Sequence, residues 1–179
     1  MRMIVVFEKR FALRHIGHLD LMRTMQRALR RSGLPIRYSN GFNPHIQLSF
    51  ASPLSVGVVG MREIMDVPLQ AEISGEDFSA QLGRALPSCI KVIRSYVVAD
   101  DYPTLMALVA GSLLRIEIEA CAEADAVARV LPEFMNSSDC VTLRKTKSGE
   151  NMTNIRPFVA QAECVTTPNG YTLKVLIEN

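Results

Sequence analysis

The chain has 179 residues, nearly half of them apolar, no tryptophan and a formal net charge of +2. That length suits one large domain or two small ones with a substantial core. No apolar run reaches membrane-spanning length and the start lacks the charged-then-apolar layout of a secretory signal, so a cytoplasmic protein with no membrane association is expected.

Residues 1–9 alternate and are rich in Val, Ile and Phe, which predicts a strand. From His18 to Arg31, Leu21, Met22, Met25, Ala28 and Leu29 recur at three-or-four spacing, the stripe of a buried helix face. Asp20 sits in its first turn, Gly33 closes it as a left-handed cap and Pro35 stops it. Residues 35–38 and 46–50 read as short strand segments around a turn-rich loop, in which Asn40-Gly41 supplies positive φ and Asn43-Pro44 a second bend. A strand over 61–69 follows. Ser74 to Asp77 form a capping box that opens a helix with Phe78, Leu82 and Leu86 on one face. A strand over 89–98 completes the order strand, helix, strand, strand, helix, strand, that of the ferredoxin-like split unit.

Asp100-Asp-Tyr-Pro marks a boundary and residues 104–109 a short helix. The next strand covers 112–120, then a helix over 123–135 carries Val127, Leu131 and Phe134 on one face, with a kink expected at Pro132. Strands follow over 141–146, 155–165 and 171–177, the last two joined by the hairpin signal Thr167-Pro-Asn-Gly170. The expected fold is therefore α+β: tandem ferredoxin-like units over 1–99 and 112–179, the second incomplete or truncated, with a connector at 100–111.

Charge is spread unevenly. Nine of the twenty lysines and arginines fall in the first fifty residues against Glu8 and Asp20 alone, so this stretch carries about +7 and the remainder about −5. All three histidines, His15, His18 and His45, lie there too. Arg23, Arg27 and Arg30 share a helix face, with Arg31 beside them, and only Asp20 stands at pairing distance in sequence, from Arg23. Unpaired like charges favour an external anion. The loop Tyr38, Ser39, Asn40, Gly41, Phe42, Asn43 and His45 can aim backbone N–H groups and side chains at one ligand, and Tyr38 and Phe42 can either stack on bases or pack. Arg144, Lys145 and Lys147 form a second basic cluster. The return segment is expected to run back along the helix, antiparallel to the first strand, and so bring His45 near His18, Asp20 and Arg23 in one shared pocket. His18, Asp20 and His45 are the candidates for any catalytic role. Acid–base cleavage of RNA by the two histidines is one reading, and a histidine-rich metal site another. The four cysteines, Cys89, Cys121, Cys140 and Cys164, lack paired spacing, so reduced and mostly buried thiols with no metal or cofactor are expected.

The motifs Leu13-Arg-x-Ile-x-His-Leu-Asp-Leu, Arg27-Ala-x-Arg-Arg and Leu34-Pro-x-x-Tyr-Ser-x-Gly-Phe-Asn-Pro-His resemble the radical-SAM-linked protein family. The likeness continues through Leu48-Ser-Phe-Ala-x-Pro-Leu-x-x-Gly57, Arg144-Lys-Thr-Lys and Ile155-Arg-Pro, and so spans nearly the whole chain. It implies a bacterial domain of uncharacterised function, encoded beside or fused to a radical SAM protein. Two positions depart from it: Gly17 where the family usually has a Ser cap, and Asn154 where it usually has Asp. The chain has no Cys-x-x-x-Cys-x-x-Cys of its own, so cleavage of S-adenosylmethionine would fall to the partner. The function expected is an RNA- or phosphate-substrate-binding accessory domain for that partner. The alternatives are a module that docks the partner directly and a metal-independent ribonuclease.

Overall fold

The computed structural model describes residues 1–146 and 149–178. The chain divides into two compact units, Met1–Val109 and Ala110–Asn179. No helix among the described residues is long and apolar enough to cross a membrane.

In the first unit, β1 (Arg2–Lys9), α1 (His18–Ser32), β2 (Ser49–Phe50), β3 (Gly60–Pro68), α2 (Gly75–Ala85) and β4 (Ile90–Val98) follow in order, with a short α3 (Leu105–Leu108) after them. The sheet order is β2-β3-β1-β4 and every pairing is antiparallel. This is the strand order of the split unit. Because β1 and β2 both run against β3, β2 runs parallel to β1, not antiparallel to it as the sequence reading had it; it still runs back along α1. β2 is only two residues long. The expected strands at 35–38 and 46–50 reduce to the bridges Ile36–Leu69 and Tyr38–Ile46 plus this stub, because Pro35 and the polar loop interrupt regular pairing and the Gln47 N–H donates to the Arg37 carbonyl rather than to β3.

Met3, Val5 and Phe7 of β1 join Met65 and Val67 of β3 under Leu21, Met25, Ala28 and Leu29 of α1 and Phe78 and Leu82 of α2. Ile4 and Val6 are buried on the opposite face. α1 ends at Gly33, whose φ of 72° is the left-handed cap. Its N-cap, Gly17, makes no side-chain cap bond. In α2 the Ser74 hydroxyl accepts from the Asp77 N–H at 3.0 Å and donates to the Asp77 carboxylate at 2.7 Å. Residues 100–103, expected in a connector, are tied to the first unit. The Arg2 guanidinium donates to the carbonyls of Asp100 and Tyr102, and Leu105 is buried.

In the second unit, β5 (Gly111–Glu119), β8 (Val159–Thr167) and β9 (Gly170–Glu178) form a sheet in the order β5-β9-β8, with α4 (Ala122–Asn136) packed on β8 and β9. That matches the first three strand positions of a split unit. The expected strand at 141–146 is not one of the three. As β6 (Val141–Thr146) it pairs with β7 (Gly149–Asn154) in a separate two-stranded sheet. β7 escaped the sequence reading because Gly-Glu-Asn-Met-Thr-Asn carries almost no apolar alternation. α4 continues through Pro132 to Asn136. The Tyr171 hydroxyl donates to Asp125 at 2.6 Å, and Arg156 donates to the carbonyls of Met135 and Val159 at 2.8 and 2.6 Å, which ties the end of α4 to the sheet. Asn154 Oδ1 accepts from the N–H groups of Cys140 and Arg156, while its Nδ2 donates to Asp139 at 2.9 Å. An Asp there would set two carboxylates against each other. The cysteines are free; Cys121 is exposed and the other three are half-buried, so burial is less than expected.

Lys9, only 1 % exposed, and half-buried Glu63 face each other at one end of the first core. Burial lowers the Lys9 pKa, against the pull of Glu63; burial raises the Glu63 pKa, against the pull of Lys9. A raised carboxylate pKa means the folded state holds its proton more tightly than the unfolded chain. The associated stability is present below the ordinary carboxylate range and is lost as pH rises through the raised folded value. Glu63→Gln is therefore expected to raise the denaturant midpoint at pH 7, with the gain vanishing in acid. Urea titrations at the two pH values check this.

Candidate functional site

α1 sorts the sequence-predicted residues by the side of the helix on which they stand. Leu21, Met25, Ala28 and Leu29 face the core, and Arg23, Arg27 and Arg30 are exposed. Arg23 donates to Asp20 at 3.0 Å, an exposed pair of small energetic weight. Arg27 and Arg30 make no ion pair or hydrogen bond among the described residues. Arg31 differs: its guanidinium donates to the Ala85 carbonyl at 2.8 Å, at the C-terminus of α2, where a cation complements the helix dipole.

The polar loop is closed by a small lock. The Ser39 N–H donates to the His45 carbonyl at 2.8 Å, the His45 N–H donates to Ser39 Oγ at 3.0 Å, and Ser39 Oγ lies 2.7 Å from His45 Nδ1. Gly41 takes the positive φ, 121°, and Asn40 does not. Between the ends of the lock, Asn40, Asn43 and Pro44 are exposed and Phe42 is wholly so. Tyr38 packs against the core beside its bridge to Ile46.

His45 stands at a groove of about 440 Å³ lined by Met22, Gln26, residues 45–49, Asp66 and Pro68. The Gln26 amide donates to the Ile46 carbonyl at 3.3 Å, which fixes the loop's return to the middle of α1. His18 and Asp20 are not among the lining residues. His18 instead sets its ring edge-on to Phe50, with centroids 5.3 Å apart. Arg23, Gln26 and Arg30 are three and four residues apart, so the two arginines stand next to Gln26 on successive turns of α1. The structure thus joins His45 to Ser39, sets His45 at a groove shared with Gln26 of α1, and places the His18 ring against Phe50. Among the described residues no three His, Cys, Asp or Glu side chains come together as a metal-binding group.

In the second unit, Lys145 is paired with Glu150 across β6–β7 at 3.0 Å, and Arg144 is exposed opposite Asn151. Lys147 lies outside the described residues. Sequence reasoning missed Gln26, Gln47 and Asp66. The one available signal was an acid at position 66 inside an otherwise apolar strand, which marks a buried carboxylate needing a partner.

The fold and site define an α+β chain of two units whose first carries ferredoxin-like strand order, a basic helix face and a loop-bordered groove. The chain belongs to the family described as uncharacterised protein conserved in bacteria (DUF2344), whose model matches residues 2–179. Among curated proteins nothing matches it.

The contrast among the arginines is measurable. Arg31→Ala is expected to lower stability by about 0.5–1 kcal/mol through the lost helix-end contact. Arg27→Ala and Arg30→Ala should stay within about 0.5 kcal/mol of the parent, as exposed residues without partners do. Chemical denaturation of the three variants checks the order.

Proposed function

We propose that this chain is an accessory domain that holds RNA, or another phosphate-bearing substrate, for a radical SAM partner. The observation that carries the first half is the exposed Arg23, Arg27 and Arg30 face of α1, in which Arg27 and Arg30 have no acidic partner among the described residues. Such a face concentrates positive potential beside a groove and a fully exposed aromatic, Phe42, the combination that binds single-stranded nucleic acid by phosphate contact and base stacking. The partner half rests on the resemblance of residues 13–57, 144–147 and 155–157 to the radical-SAM-linked proteins.

A second reading, docking of the partner protein by the first unit, is favoured by exposed Phe11, Leu19, Val56 and Met61. The segments that carry Phe11 and Val56 meet where the Gly57 N–H donates to the Arg14 carbonyl at 2.7 Å. Larger apolar patches of this kind mark protein contacts.

Salt separates the two. Binding of a single-stranded RNA should weaken linearly in log affinity against log salt, and each phosphate-contacting arginine removed should lower the slope by about 0.7. Affinity of the Arg23→Ala, Arg27→Ala, Arg30→Ala triple variant equal to that of the parent at low salt would sink the RNA reading and leave the docking one.

A further inference from the structure

Resting on the RNA reading, we propose that the groove beside α1 is a nucleobase site that selects a base with an exocyclic amino group. Three observations carry this. The first is how the groove arises. β2 has only two residues, so between the Ser49–Asp66 pair and the Ile36–Leu69 bridge the edge of β3 is left without a regular partner strand. By strand alternation, Ser49, Asp66 and Pro68 share the face turned away from α1, whereas Met22 and Gln26 belong to α1 itself. The groove therefore wraps around the sheet's edge and presents apolar walls from Met22, Ile46 and Leu48 with polar groups from Gln26, His45 and Gln47. Its volume, about 440 Å³, is in the range of small-molecule sites.

The second observation is Asp66. It is 4 % exposed and lines the groove. Arg2 makes both of its contacts to one carboxylate oxygen, Oδ2, through Nε at 2.9 Å and through Nη2. The other oxygen, Oδ1, is buried with no hydrogen-bond partner. A buried carboxylate oxygen without a donor is an acceptor waiting for one. The amino group of cytosine, adenine or guanine supplies that donor, and uracil offers only a carbonyl oxygen at the equivalent position of the pyrimidine ring. Because Oδ1 is closed to water, the base reaches it by displacing part of the groove wall.

The third is the border. Arg23 and Arg30 flank Gln26 on adjacent turns, so the backbone phosphates of a strand whose base enters the groove pass over guanidinium groups. His45, held at Nδ1 by Ser39, turns Nε2 free for the same strand.

The test compares oligo-C with oligo-U of equal length, which differ at the amino-or-carbonyl position, binding the full chain at matched salt and neutral pH. Oligo-C is expected to bind about tenfold tighter or better, the size of one hydrogen bond to a charged acceptor. Asp66→Asn presents an amide and should abolish or invert the preference. Since that variant also weakens the Arg2 pair, Ser49→Tyr, at an exposed position, serves as a second probe: it fills the groove and should remove the preference while the salt slope stays. Equal affinity for the two oligomers, with a slope that still depends on the α1 arginines, would overturn the groove assignment and leave the RNA reading intact. So would a folded Ser49→Tyr chain that keeps the full preference. No binding to either oligomer would overturn both.

Discussion

β1 is buried on both faces, and the first unit is built around that burial. Met3, Val5 and Phe7 meet the helices, Ile4 and Val6 the opposite side, and β3 and β4 pair along both edges. A strand so enclosed leaves α1 one way to lie, with Leu21, Met25, Ala28 and Leu29 inward. The remaining helix surface must then face solvent, and it is the surface that carries Arg23, Arg27 and Arg30. The hydrophobic requirement of one strand thus sets where the positive charge points, and no interaction among the arginines themselves is needed to place it.

The same constraint explains the difference between neighbouring arginines. Arg30 and Arg31 are adjacent in sequence but about 100° apart around the helix. Arg30 is exposed and stays without a protein partner among the described residues. Arg31 meets the Ala85 carbonyl at the end of α2, because α1 and α2 lie side by side. Basic residues in one run therefore divide into a solvent-facing group and one that braces the end of α2.

Much of this was readable in the chain. Periodicity located β1, α1, α2 and β4, and the Ser74 box and Gly33 cap came with their mechanisms. The basic face followed from spacing alone. The groove was not legible, because Gln26, Gln47 and Asp66 come from three segments that only the strand order brings together. β2 was overdrawn because apolar residues at 46, 48 and 50 alternate like a strand, while Gln47 donates to the Arg37 carbonyl at 3.3 Å instead of joining a ladder on β3. His18 opens the helix and its ring meets Phe50, a neighbour that spacing along the chain does not show.

The brevity of β2 also bears on how the first unit breathes. Residues 36–50 are fastened by two isolated bridges, a two-residue stub, the Gln26 amide, the bonds of Arg37 to the Pro68 and Leu69 carbonyls, and the buried side chains of Ile36, Ile46 and Phe50. Releasing them breaks fewer ladder hydrogen bonds than releasing β1, which dismantles two full ladders, but it also uncovers Ile36, Ile46 and Phe50 at the core's margin. Amide protons in this segment are expected to exchange more readily than those of β1. The sheet is thus least regularly paired along the edge on which Asp66 lies, and any local opening of the unit starts there.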